Sequence, residues 1–183
     1  STAARWLAVD GLSVLILDRT PGTSFKVGES LLPEGVRLCW EMGLKAQLEA
    51  HGFLKKHAAR FVLGEDGVED TFDFASALRA ERAPYAYQVK RLEFDGLLQR
   101  FAVEGGAKIL WDVTVQEVDV EDTGGVLIKS RDGRSFRCRY LVDASGPSSL
   151  LARSLTLREP LPGLNKVALF SHFEGIPRRT GSG

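Results

Sequence analysis

The chain has 183 residues, 44% hydrophobic and 26% charged, enough for one domain or slightly more at ~100–200 residues per domain. Its 24 basic residues balance its 24 acidic ones, which argues against a nucleic-acid binder that relies on bulk positive charge. The longest strand-like apolar run, Leu12–Leu17, is far short of a membrane span, and no signal-peptide pattern opens the sequence.

Residues 2–9 suit a helix with a small-residue face of Ala3, Ala4, Leu7 and Ala8, stopped by Gly11. Ser13–Leu17 is an apolar strand ending in Asp18-Arg19, of the kind found in parallel sheets covered on both faces. Such a sheet needs a strand before the helix. The expectation is an internal fragment of a longer reading frame, with that strand and its loop before Ser1. Residues 20–32 form a Gly/Pro/Ser-rich loop leading into KVGESLLP, and a helix follows from Pro33 to Met42. A second short helix covers Leu44–Ala50. Ala58–Leu63 and Val68–Phe74 read as a hairpin around GEDG, residues 75–84 as a loop, and Tyr85–Val89 as a strand.

The clearest helix is Arg91–Glu104, with Phe94, Leu97, Leu98, Phe101 and Ala102 on one face and Gly105-Gly106 at its end. Ala107–Leu110 is a strand leading to Val113–Val120, where the alternation slips by one between Val113/Val115 and Val118/Val120, which allows a bulge. Val126–Lys129 and Ser135–Cys138 pair around SRDGR. Tyr140–Val142 is a last strand running into DASG, and VALFSHFEG is strand-like. The order fits an α/β fold: a three-layer, Rossmann-like domain with an antiparallel β insert and part of a β-sheet substrate domain. The strands at 13–17, 107–110 and 139–142 should share one sheet. The domains expected are 1–56 with 87–156, and 57–86 with 157–183.

Cys39 and Cys138 lie far apart without CxxC spacing, and His51, His57 and His172 form no HExxH pair. This reads as a cytoplasmic protein with packing cysteines and no metal site. Trp40 reads as core and His57 as a partly exposed histidine. Tyr85 and Tyr87 flank the insert.

Three places carry chemistry. Asp18 closes its strand where a carboxylate can accept from both vicinal hydroxyls of a ribose; a solvated turn aspartate reads equally well. In KVGESLLP, Gly28 permits close backbone approach to a ligand, and Glu29 and Ser30 can cap the following helix. In DASG, Asp143, Ser145 and Gly146 lie where open α/β sheets bind ligands; an ordinary strand-to-helix turn is the alternative.

In combination, STAARWLAVDGLSVLILDR, KVGESLLPEGVRLCWEMGL, YQVKRLEFDGLL and YLVDASGPSSLLAR resemble the N-terminal half of the FAD-dependent enzymes that include flavin-dependent halogenases and monooxygenases. The resemblance covers nearly the whole chain and implies a GxGxxG loop before Ser1. It implies FAD as cofactor. Asp18, with Arg19 beside it, takes the adenosine-ribose position, and Gly28, Glu29 and Ser30 form the loop beside the flavin. Arg91 contacts the cofactor, Val115 the adenine, and Asp143, Ser145 and Gly146 form a second cofactor turn. HGFLKKHAARF resembles the halogenase segment in which a lysine precedes a strand, which falls on Lys56. In halogenases, reduced FAD, O2 and halide give hypohalous acid, and the lysine relays it to an aromatic or carrier-bound small substrate; a separate flavin reductase supplies the reduced flavin. The alternatives are a monooxygenase or a geranylgeranyl-reductase-like enzyme, and a non-catalytic nucleotide-binding module. A solvated lysine of the Lys55-Lys56 pair is the plain reading of that segment.

Overall fold

The computed structural model describes residues 1–64, 67–77, 83–121, 124–159, 161–164, 167 and 169–175. The chain divides after Trp111 into two compact units.

The first unit begins with α1 (Thr2–Val9), which Asp10 and Gly11 end, Gly11 at φ 83°. β1 (Leu15–Leu17) pairs in parallel with β6 (Lys108–Leu110), register Leu15 to Lys108. Between them in sequence lie α2 (Pro33–Glu41), α3 (Lys45–His51), β2 (Leu54–Lys56), β3 (Ala58–Leu63), β4 (Val68–Asp73), α4 (Phe74–Ala77), β5 (Ala86–Gln88) and α5 (Arg91–Glu104). β3 and β4 form the expected hairpin. The centre of its GEDG turn and residues 78–82 of the expected loop lie outside the described residues. The expected loop also begins with a short helical turn, α4, closed by the Asp73 carboxylate accepting from the Ser76 N–H at 2.8 Å.

Two clusters hold this unit. Val36 and Cys39 of α2, Leu44 and Leu48 around α3, Tyr85 and Tyr87 of the β5 segment, and Phe94, Leu97 and Phe101 of α5 form the main core. Burial pushes the Cys39 thiol up to about 11, so it is a packing group and not a nucleophile. Ala4, Ala102 and Ala107 form the second cluster, with Ala8, Val14 and Ile16 against it. These small residues let α1 lie close to α5 over the parallel pair. Arg5 completes the contact, its guanidinium carbon 4.0 Å from the Phe101 ring centroid and its Nη1 donating to the Phe101 carbonyl at 3.3 Å.

The second unit is an antiparallel meander of β7 (Val115–Glu121), β8 (Gly125–Ser130) and β9 (Ser135–Cys138). Val126, Ile128 and Ser130 are buried on one face of β8. The bulge that the slipped alternation allows is present, with the register slipping between Val115 and Glu117. A single 3-10 turn at 146–148 and a short helix, α6 (Leu150–Ser154), follow.

One strand expectation is corrected. Residues 139–142 form no strand, and the parallel sheet among the described residues is the β1–β6 pair alone. Tyr140 is 87% and Val142 60% exposed. A strand exists through its neighbours' hydrogen bonds, and an apolar sequence without a paired neighbour does not make one. The described residues of the segment 167–175 likewise form no strand, for all their apolar side chains.

Candidate functional site

The segment of residues 29–31 is the centre of the site, and backbone pairing builds it. The Val89 N–H donates to the Glu29 carbonyl at 2.8 Å and the Leu31 N–H to the Tyr87 carbonyl at 2.9 Å, with Ser30 bridged to Gln88. On its other edge β5 pairs antiparallel with β2, Leu54 opposite Gln88 and Lys56 opposite Ala86. β5 is therefore the middle of a three-row platform, with β2 on one side and the glycine–glutamate–serine loop on the other. The sequence shows no such strand at 54–56, because a three-residue segment containing two lysines carries no alternation. It forms because β5 is a buried strand with a free edge.

Lys56 is the only candidate that crosses this platform. Its ammonium donates to the Ser30 hydroxyl and to the Leu31 carbonyl, the latter at 3.0 Å. Partial burial lowers its pKa from the ordinary lysine value, because desolvation disfavours the charged form. Its neighbour Lys55 points to the other face, its Nζ 4.4 Å from the Tyr85 ring centroid. Tyr85 and Tyr87 are buried, 5.3 Å apart edge to face, and belong to the core. Burial raises the Tyr87 phenol. Trp40 is partly buried against the same core, 5.8 Å from Tyr85, as its helical spacing indicates. His57 is exposed, 6.0 Å from Tyr85.

The helix-capping role open to Glu29 and Ser30 is not used. The N-cap of α2 is Leu32, with no side-chain cap hydrogen bond and Pro33 supplying the preset φ. The Ser30 hydroxyl is turned to Lys56 instead.

The rest of the loop is tied to α5. Gly28 has φ 109°, a conformation that L side chains rarely adopt, and a Cβ there would lie 3.2 Å from Arg91 Nη1. That nitrogen donates to the Val27 carbonyl at 3.3 Å and the Gly28 carbonyl at 3.5 Å. Arg91 Nε and Nη2 are taken by Asp95, at 3.1 and 3.0 Å. The guanidinium expected to contact the cofactor thus grips a carboxylate one helical turn away. Asp95 was not singled out in the sequence, although its spacing of four from Arg91 is the signal that would find it. The Thr23 hydroxyl adds a bond to the Leu92 carbonyl at 2.9 Å.

Asp18 lies at the carboxyl end of β1. Its N–H donates to the Leu110 carbonyl, extending the parallel pair, and its Oδ1 accepts from the Thr20 N–H, both at 3.0 Å. Among the described residues Oδ2 accepts no hydrogen bond, and Arg19 is exposed. A carboxylate with one free oxygen at a parallel strand end is the kind of acceptor to which ribose hydroxyls donate.

The remaining candidates belong to the second unit. Val115 opens β7 opposite Ser130 at the bulge. Asp143 Oδ1 accepts from the Ser145 N–H at 2.9 Å and Oδ2 from the Leu151 N–H at 2.8 Å, and the Ser145 hydroxyl accepts from the Leu150 N–H at 2.9 Å. Bonds from the Ser145 side chain and from the Leu151 and Ser145 backbone lower the Asp143 pKa. Gly146 has φ 64°. In this structure the polar groups of DASG are engaged with their own turn and the start of α6.

No helix among the described residues is long and apolar enough to cross a membrane. The chain matches the family described as FAD binding domain over residues 1–174. It is 30% identical over 200 residues to the 1H-pyrrole-2-carbonyl-(peptidyl-carrier protein) chlorinase of Pseudomonas fluorescens, an alignment covering 100% of this chain and 44% of that protein. It is 30% identical over 181 residues to the tryptophan 2-halogenase of Chondromyces crocatus, covering 96% of this chain and 34% of that protein. Its fold superposes on the crystal structure of the flavin-dependent halogenase CmlS with a TM-score of 0.79 and 32% identity, covering 85% of this chain and 28% of that one. The chain therefore spans under half the length of the curated relatives it matches. The chain belongs to the FAD-binding domain family, within the superfamily of flavin-dependent halogenases and FAD-dependent monooxygenases.

Proposed function

We propose that the protein is an FAD-dependent halogenase in which Lys56 is the catalytic residue. The observation that carries this reading is the lysine amine held against the loop 28–31 by Ser30 and Leu31. Of the first unit, Asp18 fits the cofactor by its carboxylate acceptor at the strand end and Gly28 by its missing Cβ, and Arg19, Glu29, Ser30 and Arg91 are assigned to it on the resemblance. Val115, Asp143, Ser145 and Gly146 are assigned to it on the resemblance alone. Residues 1–56 with 87–156 form the cofactor domain in this reading, and 57–86 with 157–183 belong to the substrate domain.

When bound and reduced, the flavin supplies the chemistry that converts O2 and halide into hypohalous acid. Lys56 acts after that. As an ammonium it donates a hydrogen bond to the oxidant. As an amine it attacks the halogen, releasing water and leaving an N–halogen bond. The halogen then passes to an electron-rich carbon of the organic substrate, whose proton is lost, and the amine is regenerated. Burial, which lowers the lysine pKa, enlarges the amine fraction. The halogenated compounds named for the two relatives, a carrier-bound pyrrole and tryptophan, support an aromatic or carrier-bound small substrate. A separate flavin reductase and a cytoplasmic location belong to the same reading, and Cys39 and Cys138 are free thiols.

The test uses the full-length protein with reduced FAD, O2 and chloride or bromide, and mass spectrometry of the product. Lys56→Ala is expected to abolish halogenated product while flavin binding and reduced-flavin oxidation persist. Lys56→Arg is expected to fail too, because the guanidinium stays protonated. Full halogenation by Lys56→Ala removes the lysine from the mechanism. Halide-independent hydroxylation by the unmutated protein moves the reading to a monooxygenase.

A further inference from the structure

We propose that Ser30 is the positioning residue of Lys56, and that Ala86 is the gap in the platform through which the lysine reaches it. The inference rests on the reading of Lys56 as the catalytic residue, and it assigns Ser30 to the lysine where the resemblance implies a place beside the flavin.

The register carries it. Lys56 sits opposite Ala86, so the two share a face of the antiparallel pair. Ser30 sits opposite Gln88 on the far edge of β5. Lys56 and Ser30 are thus two strand spacings apart across the platform, roughly 9.5 Å at ~4.8 Å each, and are offset by two residues along it. Yet the lysine nitrogen bonds to the Ser30 hydroxyl and to the Leu31 carbonyl. The four-carbon stem must pass over the middle strand, and it sets out opposite Ala86, which is fully buried and carries only a Cβ. A larger side chain at 86 would stand in that path.

The chemistry of the two acceptors also points to positioning. An ammonium has three N–H donors. Two are fixed by Ser30 and Leu31, and among the described residues the third has no partner. The serine hydroxyl, which otherwise could cap α2, makes no bond to that helix. With two positions of the nitrogen held by the loop, its remaining valence is left to meet an oxidant. Burial favours the neutral amine and the acceptors favour the ammonium, so Ser30 also sets the balance between the two forms.

The test has one readout that needs no turnover. In the full-length protein, the rate of Lys56 acetylation by an N-hydroxysuccinimide ester is followed by peptide mass spectrometry, with Lys55 as the internal reference. Ser30→Ala is expected to raise the Lys56 rate about tenfold, the worth of one hydrogen bond to a charged group, and Ser30→Thr to restore it. Ala86→Val is expected to raise it as well, its folding checked by circular dichroism. With saturating FAD, Ser30→Ala should also lower halogenated product per flavin oxidised, with Ser30→Thr restoring the coupling. An unchanged Lys56 rate in Ser30→Ala overturns the proposal even where Lys56→Ala abolishes halogenation. A raised rate in a protein that halogenates nothing leaves the positioning intact and sinks the halogenase reading instead.

Discussion

The Lys56 platform and the Asp143 turn use polar side chains in opposite ways. Lys56 reaches residues 25 and 26 positions away, and Arg91 reaches 63 and 64 positions back to the loop at 27–28. Asp143 and Ser145 bond within their own turn, to each other and to backbone two to eight residues ahead. Local side-chain-to-backbone bonds are what Asp and Ser make wherever a turn precedes a helix, whatever the protein does. A lysine carried across a buried strand to a hydroxyl has no such general explanation, since a surface lysine is better solvated by water. The first pattern therefore weighs toward function and the second is met by folding alone.

The largest effect expected from this difference is on stability. The platform rests on a core and the meander of the second unit is a thin sheet. Leu48, fully buried on α3, should cost about 2–5 kcal/mol when changed to Ala. Val120, 58% exposed on β7, should cost within about 0.5 kcal/mol. Urea unfolding of the full-length protein checks both. Equal costs would mean that no distinct core supports the platform.

A smaller effect tests the loop itself. Gly28→Ala places a Cβ at φ 109°, 3.2 Å from Arg91 Nη1. The guanidinium end can move, so conformational strain dominates, at about 1–2 kcal/mol. Loss should appear as a lower melting temperature and as faster amide exchange at Leu31 and Val89, which bond across to β5 and the loop. Exchange left unchanged at those two amides would show that the loop is held without the glycine.

How much of this the sequence discloses depends on what holds each part. α5 is legible because its core face repeats at three and four residues over fourteen positions, a period no other structure shares. The bulge at Val115 is legible because alternation has to slip when a residue is added. β2 is not legible, since its three residues have no pattern and its pairing is decided by β5, thirty residues on. The same holds for the expected strand at 140–142, which has the composition of a strand and none of the neighbours. Within the candidate site, the residue types at 18, 28, 30, 56 and 91 are readable, and of their partners only Asp95 is, by its spacing of four from Arg91. Only the fold reveals that Ser30 answers Lys56.

The smallest effect concerns the turn. If Asp143 acts as a cap, its removal should loosen two amides and little else. Asp143→Ala is expected to cost about 0.5–1 kcal/mol, the low end for a lost helix cap at an exposed site. Hydrogen exchange should quicken at Ser145 and Leu151, whose N–H groups donate to the carboxylate, and stay unchanged along β8. The pH dependence has a fixed sign. Hydrogen bonds hold the folded Asp143 pKa below its ordinary value, so the unfolded chain binds the proton first. The cap's contribution is then fully present above the unfolded value of about 3.9 and is lost as pH falls through the lower folded one. Protection of Ser145 and Leu151 should hold from neutral pH down to about 4 and fade below it, and in Asp143→Ala this fading should be absent. A loss of protection that begins near neutral pH would instead assign the turn to some group other than this carboxylate, and with it the local account of DASG.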